Sequence, residues 1–233
     1  MENLVWFKKN VFDNAEVIST MAALVTLLIK PRQPRFLRPV ILYLILALIM
    51  YSLGNIMVDH HDWLPTWYYE KILAKNTPLY SIHSIVRFSC FAYFFQILGQ
   101  PHYKTIRKIL PYISILFFVV NFGILKVEFF DYTLISSRLL TVEAFLLLVY
   151  CMLYYLSSLK EDLPDLRKQK DFLVVTGLSF YVVINFFVFL FYANLNGDLQ
   201  ERIWDVHNIA QIIFCIFIVK AFYVPAKSWW YYN

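Results

Sequence analysis

A chain of 233 residues that is 60% hydrophobic, 19% aromatic and only 16% charged cannot cover a soluble surface, for which about 25% charged residues is usual. Its net charge of +5 would suggest nucleic acid in a soluble protein. Here the basic residues fall mostly in short loops on one side of the apolar segments, so membrane topology accounts for them and no nucleic-acid partner is expected.

A helix needs about 20 mostly apolar residues to cross the hydrocarbon core. In chain order, seven segments meet this requirement: 12–29, 40–58, 79–98, 109–126, 134–157, 171–194 and 203–222. The sequence therefore predicts an all-α fold, a polytopic membrane helix bundle forming one transmembrane domain over 1–233. The first segment is the weakest, because Asp13, Asn14 and Glu16 crowd its start. It does not read as a cleaved signal peptide, since Lys30-Pro31-Arg32 stand where a small-residue cleavage site belongs. The loop over 59–78 carries His60-His61-Asp62-Trp63 and Trp67-Tyr68-Tyr69 and reads as an interfacial flap. The tail Ser228-Trp229-Trp230-Tyr231-Tyr232-Asn233 reads as an interfacial anchor. Cys90, Cys151 and Cys215 lie in apolar runs without CxxC spacing and read as small apolar side chains.

Orientation follows from the basic residues. One set of loops holds 13 Lys and Arg, the other side 6, with Arg87 and Arg138 inside helices. The richer side is expected to be cytoplasmic, with the N-terminus outside and the C-terminus inside. All nine prolines are expected in loops or near helix ends, and the chain has only five glycines and no GxxxG.

Depth, counted at about 1.5 Å per residue, places Arg87, Glu143, Asn185 and Gln211 about 12–14 Å below the outer surface. Glu16, Asn55, His83, Asn121, Arg138, His207 and Asn208 lie shallower on the same side. The inner halves, such as 40–50 and 172–183, look almost purely apolar. Helical spacing groups His83 with Arg87, Tyr181 with Asn185, and Tyr51 with Asn55. It also groups Trp204 with His207, Asn208 and Gln211, and Asp13 with Glu16 and Thr20. Arg138 and Glu143 point about 140° apart at 100° per residue and should not pair. Glu143 is expected to reach Arg87 or His207 across the bundle.

Ionisable groups inside a membrane are costly unless paired, and so carry a functional expectation. The set His83, Arg87, Arg138, Glu143, Asn185, His207, Asn208, Gln211, Glu16 and Asn55 is read as lining an outward-facing polar pocket for a small polar ligand. The bland alternative is that these groups tie helices together by hydrogen bonds worth about 0.6–2 kcal/mol each. No catalytic residues and no cofactor are expected. A retinal site lacks its mid-helix lysine, as Lys220 sits near the end of the last segment, and segment 79–98 has no Asp or Glu. Zinc on His83, His207 and Glu143 is the weak metal alternative, without an HExxH pair to support it.

The functional expectation is a receptor- or sensor-like bundle that answers through a membrane or cytoplasmic partner. The alternatives are a small-solute or proton-coupled transporter and a structural subunit of a membrane complex. In size and texture the chain is similar to small seven-helix bacterial membrane proteins, which implies a bacterial inner membrane and lipid as its surroundings but carries no transferable motif.

Overall fold

The computed structural model describes residues 14–59, 77–100, 102–120, 137–160, 169–192, 195 and 197–224. Asp13, Asn121, the loop around Trp63 and Trp67, and the tail from Pro225 lie outside the described residues. Among those described there are helices and turns but no strand. They are α1 (Ala15–Ile29), a 3-10 turn (Arg35–Leu37) leading into α2 (Arg38–Asp59), α3 (Thr77–Ile97), α4 (Lys104–Phe118), α5 (Ser137–Lys160), α6 (Lys170–Tyr192) and α7 (Gly197–Tyr223).

Several boundaries differ from those read by hydropathy. Helix α4 begins five residues before its predicted segment and α7 six before. The extra turns carry Lys104, Arg107 and Lys108 in α4, and Asp198, Gln200 and Arg202 in α7. Backbone hydrogen bonds close a helix whatever its side chains are, so it continues where apolar character stops. Pro39 and Pro78 are each the second residue of their helix, where a missing N–H is tolerated. Pro111 is an exception to the expected placement of prolines, because it lies inside α4.

Helix α1 packs on α2 and α7, α2 on α3, α3 on α5, α5 on α6 and α6 on α7. Six helices thus close a ring of neighbours, and α4 lies against α3 and α5 outside it. The centre is filled by aromatic rings. Tyr43, Phe91, Phe94, Phe95, Tyr150 and Phe214 are fully buried, and Phe95 stacks on Tyr150 with ring centroids 5.1 Å apart. Offset and edge-on aromatic pairs of this kind add about 0.5–1.5 kcal/mol beyond the area they bury. Helices α6 and α7 approach closely at Gly177, where a Cβ would stand 2.5 Å from that of Phe217.

The outer surface of the ring is apolar. Leu28 on α1, Leu42 and Ile49 on α2, Tyr112 and Leu116 on α4, Met152 and Leu159 on α5, and Phe180 and Phe187 on α6 are all exposed. A water-facing surface rarely shows so extended an apolar area, whereas lipid requires one. Among the described residues, four helical stretches are long and apolar enough to cross a membrane: Arg35–Gly54, Arg138–Lys160, Lys170–Tyr192 and Gly197–Tyr223. The protein is therefore a membrane-embedded all-helical bundle. Helix α3 is as long as these, but Arg87, His83 and several serines dilute it. The described part of α1 has 15 residues, about 22 Å of rise, which is short of a full crossing.

The expectation that buried polar groups sit at one end only is corrected. At the basic end, where α1, α3, α5 and α7 finish, a second buried layer contains Gln100, Arg107, Ser157, Ser158, Lys170 and Asp171. Lys170 Nζ donates to Gln33 Oε1 at 2.8 Å and to the Phe222 carbonyl at 3.3 Å, tying the start of α6 to the end of α7. The hydroxyl of Tyr154 donates to Asp171 Oδ2 at 2.9 Å. Arg107 donates to the carbonyls of Gln100 and His102, the latter at 2.7 Å. It thereby secures a tight α3–α4 turn in which Gly99 (φ 64°) and Tyr103 (φ 58°) are left-handed. Helix ends favour such residues, because their last carbonyls need donors and their dipole favours a cation.

Candidate functional site

The polar residues at the other end separate into three small groups. The first is built on α3. Arg87 lies about 15 Å along that helix from its Thr77 start and points into the ring, 3% exposed. Its Nε and Nη2 donate to the two oxygens of Glu143 on α5, at 2.5 and 2.6 Å. Its Nη1 donates to the Tyr181 hydroxyl of α6, and its guanidinium carbon lies 5.1 Å from the Tyr181 ring centroid. Ser84, one turn before Arg87, donates to Glu143 Oε2 at 2.6 Å. The carboxylate therefore accepts three donors from α3, and the fork-shaped pairing is the strong, directional kind. Both charges are balanced and sealed from solvent.

The second group joins α1, α6 and α7. His207 Nε2 lies 2.8 Å from Glu16 Oε1, and its Nδ1 lies 2.6 Å from Asn185 Oδ1. One turn further, Gln211 Nε2 reaches Thr20 Oγ1 at 3.5 Å, so the Glu16/Thr20 and His207/Gln211 pairs face each other at the same i, i+4 spacing. With oxygen on both sides, the ring must donate from both nitrogens, as imidazolium, or Glu16 must hold the proton. Turning the Asn185 amide over lets its nitrogen donate to Nδ1, which leaves a neutral ring donating to an ionised Glu16. In the first arrangement Asn185 Nδ2 has no hydrogen-bond partner among the described residues. One proton and one amide rotation separate the two.

The third group holds His83, 4% exposed. Its ring stacks on Tyr43, with centroids 5.7 Å apart, and meets Tyr51 edge-on at 4.8 Å. His83 Nε2 and the Tyr51 hydroxyl have no hydrogen-bond partner among the described residues. Both residues line a cavity of about 30 Å³, together with Glu16, Met50, Leu79 and Tyr80. A single water needs about 10–15 Å³ measured this way, so the space holds one or two molecules of that size. The Tyr80 ring stands edge-on to Trp204 at 5.3 Å, and Trp204 packs on His207 at 4.9 Å.

Eight of the ten predicted residues are placed by these groups or beside them. Glu143 does reach Arg87. Asn208 and Gln211 are buried on α7. The side chain of Asn55 lies outside those described. Arg138 is the correction: it is exposed at the start of α5, because the turn that carries Glu143 inward carries Arg138 out. His83 and Arg87, expected on one face, do both point inward but to different neighbours. The metal set His83, His207 and Glu143 does not converge, and among the described residues no three His, Cys, Asp or Glu are placed to hold an ion. Tyr181 and Ser84 are the residues that depth alone missed. Each is one helical turn from a predicted residue, Tyr181 from Asn185 and Ser84 from Arg87, and that spacing is the signal that finds them.

No protein-family model matches the chain, and no curated protein or solved structure matches it either.

Proposed function

We propose that the protein is a seven-helix membrane protein with its N-terminus outside and its basic end in the cytoplasm. In this reading it is a receptor- or sensor-like bundle that takes a small polar ligand from the outer side and passes the response to a partner at the basic end. The observation that carries the reading is the small cavity beside Glu16 and His83, set within a layer of buried ionisable groups. Below it the fully buried rings of Tyr43, Phe91, Phe94 and Phe214 fill the ring of helices. A site at one end above a filled centre favours binding and signalling over conduction. The excess of Lys and Arg at one end supports the orientation.

The test is ligand-dependent thermal stabilisation of the purified protein across small polar compounds, with hydrogen exchange at the turn over 30–38. Binding accompanied by a change at that turn sustains the proposal. Binding that leaves the basic end unaltered, or no binding by any compound, refutes it.

A second reading, proton-coupled transport of a small solute, draws on the buried layer at the basic end. Lys170, Asp171, Gln100 and Arg107 supply polar groups at the far side of the aromatic centre, and the Glu16–His207 contact can hold a transferable proton. Solute flux into proteoliposomes that is abolished by Glu16→Gln would favour it over sensing.

A further inference from the structure

Resting on the reading of the outer cluster as a ligand site, we infer that its ligand is a small ammonium-type cation, held in the cavity between Glu16, Tyr51, Tyr80 and His83. The charges give the sign. Arg87 is balanced by Glu143 through two short hydrogen bonds, so neither is available to a ligand. Glu16 is different, because its partner among the described residues is His207, which is neutral in one of its two hydrogen-bonding arrangements. With the Asn185 amide turned over and a neutral His207 donating to an ionised Glu16, the cluster carries one uncompensated carboxylate, and that carboxylate lines the cavity.

The walls give the chemistry. Tyr51 and Tyr80 supply aromatic rings, whose negative faces attract cations. His83 Nε2 is a buried nitrogen without a hydrogen-bond partner among the described residues, and leaving such an atom unsatisfied costs about 1–3 kcal/mol. A neutral imidazole offers a lone pair there. An N–H donor satisfies it, whereas an alkali cation, which prefers several oxygens, does not. The volume of about 30 Å³ admits ammonium or methylammonium and excludes a metabolite of many atoms.

The experiment is thermal unfolding of the full chain in detergent micelles, titrated with ammonium or methylammonium chloride against potassium and sodium chloride at matched ionic strength. Ammonium should raise Tm saturably, by about 3–6 °C at tenfold excess over the half-saturating concentration, with no matching rise in potassium or sodium. Glu16→Gln should remove the effect. Leu79→Phe, which fills the cavity and leaves every charge in place, should remove it as well, so the test stands even if Glu16→Gln fails to fold. An equal rise in potassium, or a rise that survives Leu79→Phe, overturns the assignment. Hydrogen exchange over 30–38 and 169–173 in the same samples separates the two levels of the claim. Ammonium stabilisation without a change there keeps the cation site and overturns the sensor reading. Stabilisation by a neutral or anionic compound but not by ammonium overturns the cation site and keeps the sensor reading.

Discussion

The hydroxyl of Tyr150 on α5 donates to the carbonyl of Arg107 on α4 at 2.9 Å, the carbonyl whose in-helix donor would be the N–H that Pro111 lacks. A proline inside a membrane helix is tolerated when a neighbouring helix satisfies the backbone in this way. Tyr150→Phe should therefore lower stability by about 1–3 kcal/mol, the range for a buried acceptor left without its donor. In a Pro111→Ala background, where the helix supplies its own N–H, the same substitution should cost markedly less. Thermal unfolding of the four proteins of this cycle checks it, and equal costs in both backgrounds would refute the assignment.

The Arg87–Glu143 pair gives a second cycle. Arg87→Leu or Glu143→Leu alone leaves a buried charge without its partner and should destabilise by about 3–5 kcal/mol. The double variant should be closer to wild type than the sum of the singles, because no charge remains. Additive losses would mean that the two residues do not act as a pair.

Arg138 provides the contrast. Exposed at the start of α5, it has no place in the buried cluster. Arg138→Ala should change stability by less than about 0.5 kcal/mol and leave ammonium stabilisation intact. A loss of either comparable to that of Glu16→Gln would return it to the site.

Gly177 tests the close approach of α6 and α7. An added methyl would stand 2.5 Å from Phe217 Cβ and 3.1 Å from its Cγ, so the helices must part. Gly177→Ala should destabilise by about 1–3 kcal/mol, as overpacking does, despite the better helix propensity of alanine. A rise in Tm would show that the contact relaxes freely.

Helix positions were legible because lipid leaves a long apolar run wherever a helix crosses it, as α6 over Lys170–Tyr192 shows. The helix ends were not, since the charged first turns of α4 and α7 read as loop. Arg107 and Lys170 were lost for the same reason: a basic residue near a helix end counts toward topology, yet here both are buried. Depth along a helix was legible and rotation about it only in part. The 140° between Arg138 and Glu143 required one of them to face away from the centre, and spacing alone did not decide which. Partner choice across helices was legible only where one strong acid and one strong base share a level, as Arg87 and Glu143 do. The cavity beside Glu16 depends on the packing of three helices and has no signature in spacing.

The pairing of Arg87 with Glu143 also sets an order of assembly. The two residues are 56 positions apart in the chain, so in the proposed topology α3 is synthesised and offered to the bilayer well before its carboxylate partner exists. A lone arginine at a helix centre disfavours insertion by about 2.5–3.5 kcal/mol. During biogenesis α3 would therefore be held at the insertion machinery, or at the bilayer edge, until α5 emerges, and the two would enter lipid as a unit. A truncation ending before Glu143 should leave α3 poorly inserted, while one ending after α5 should not.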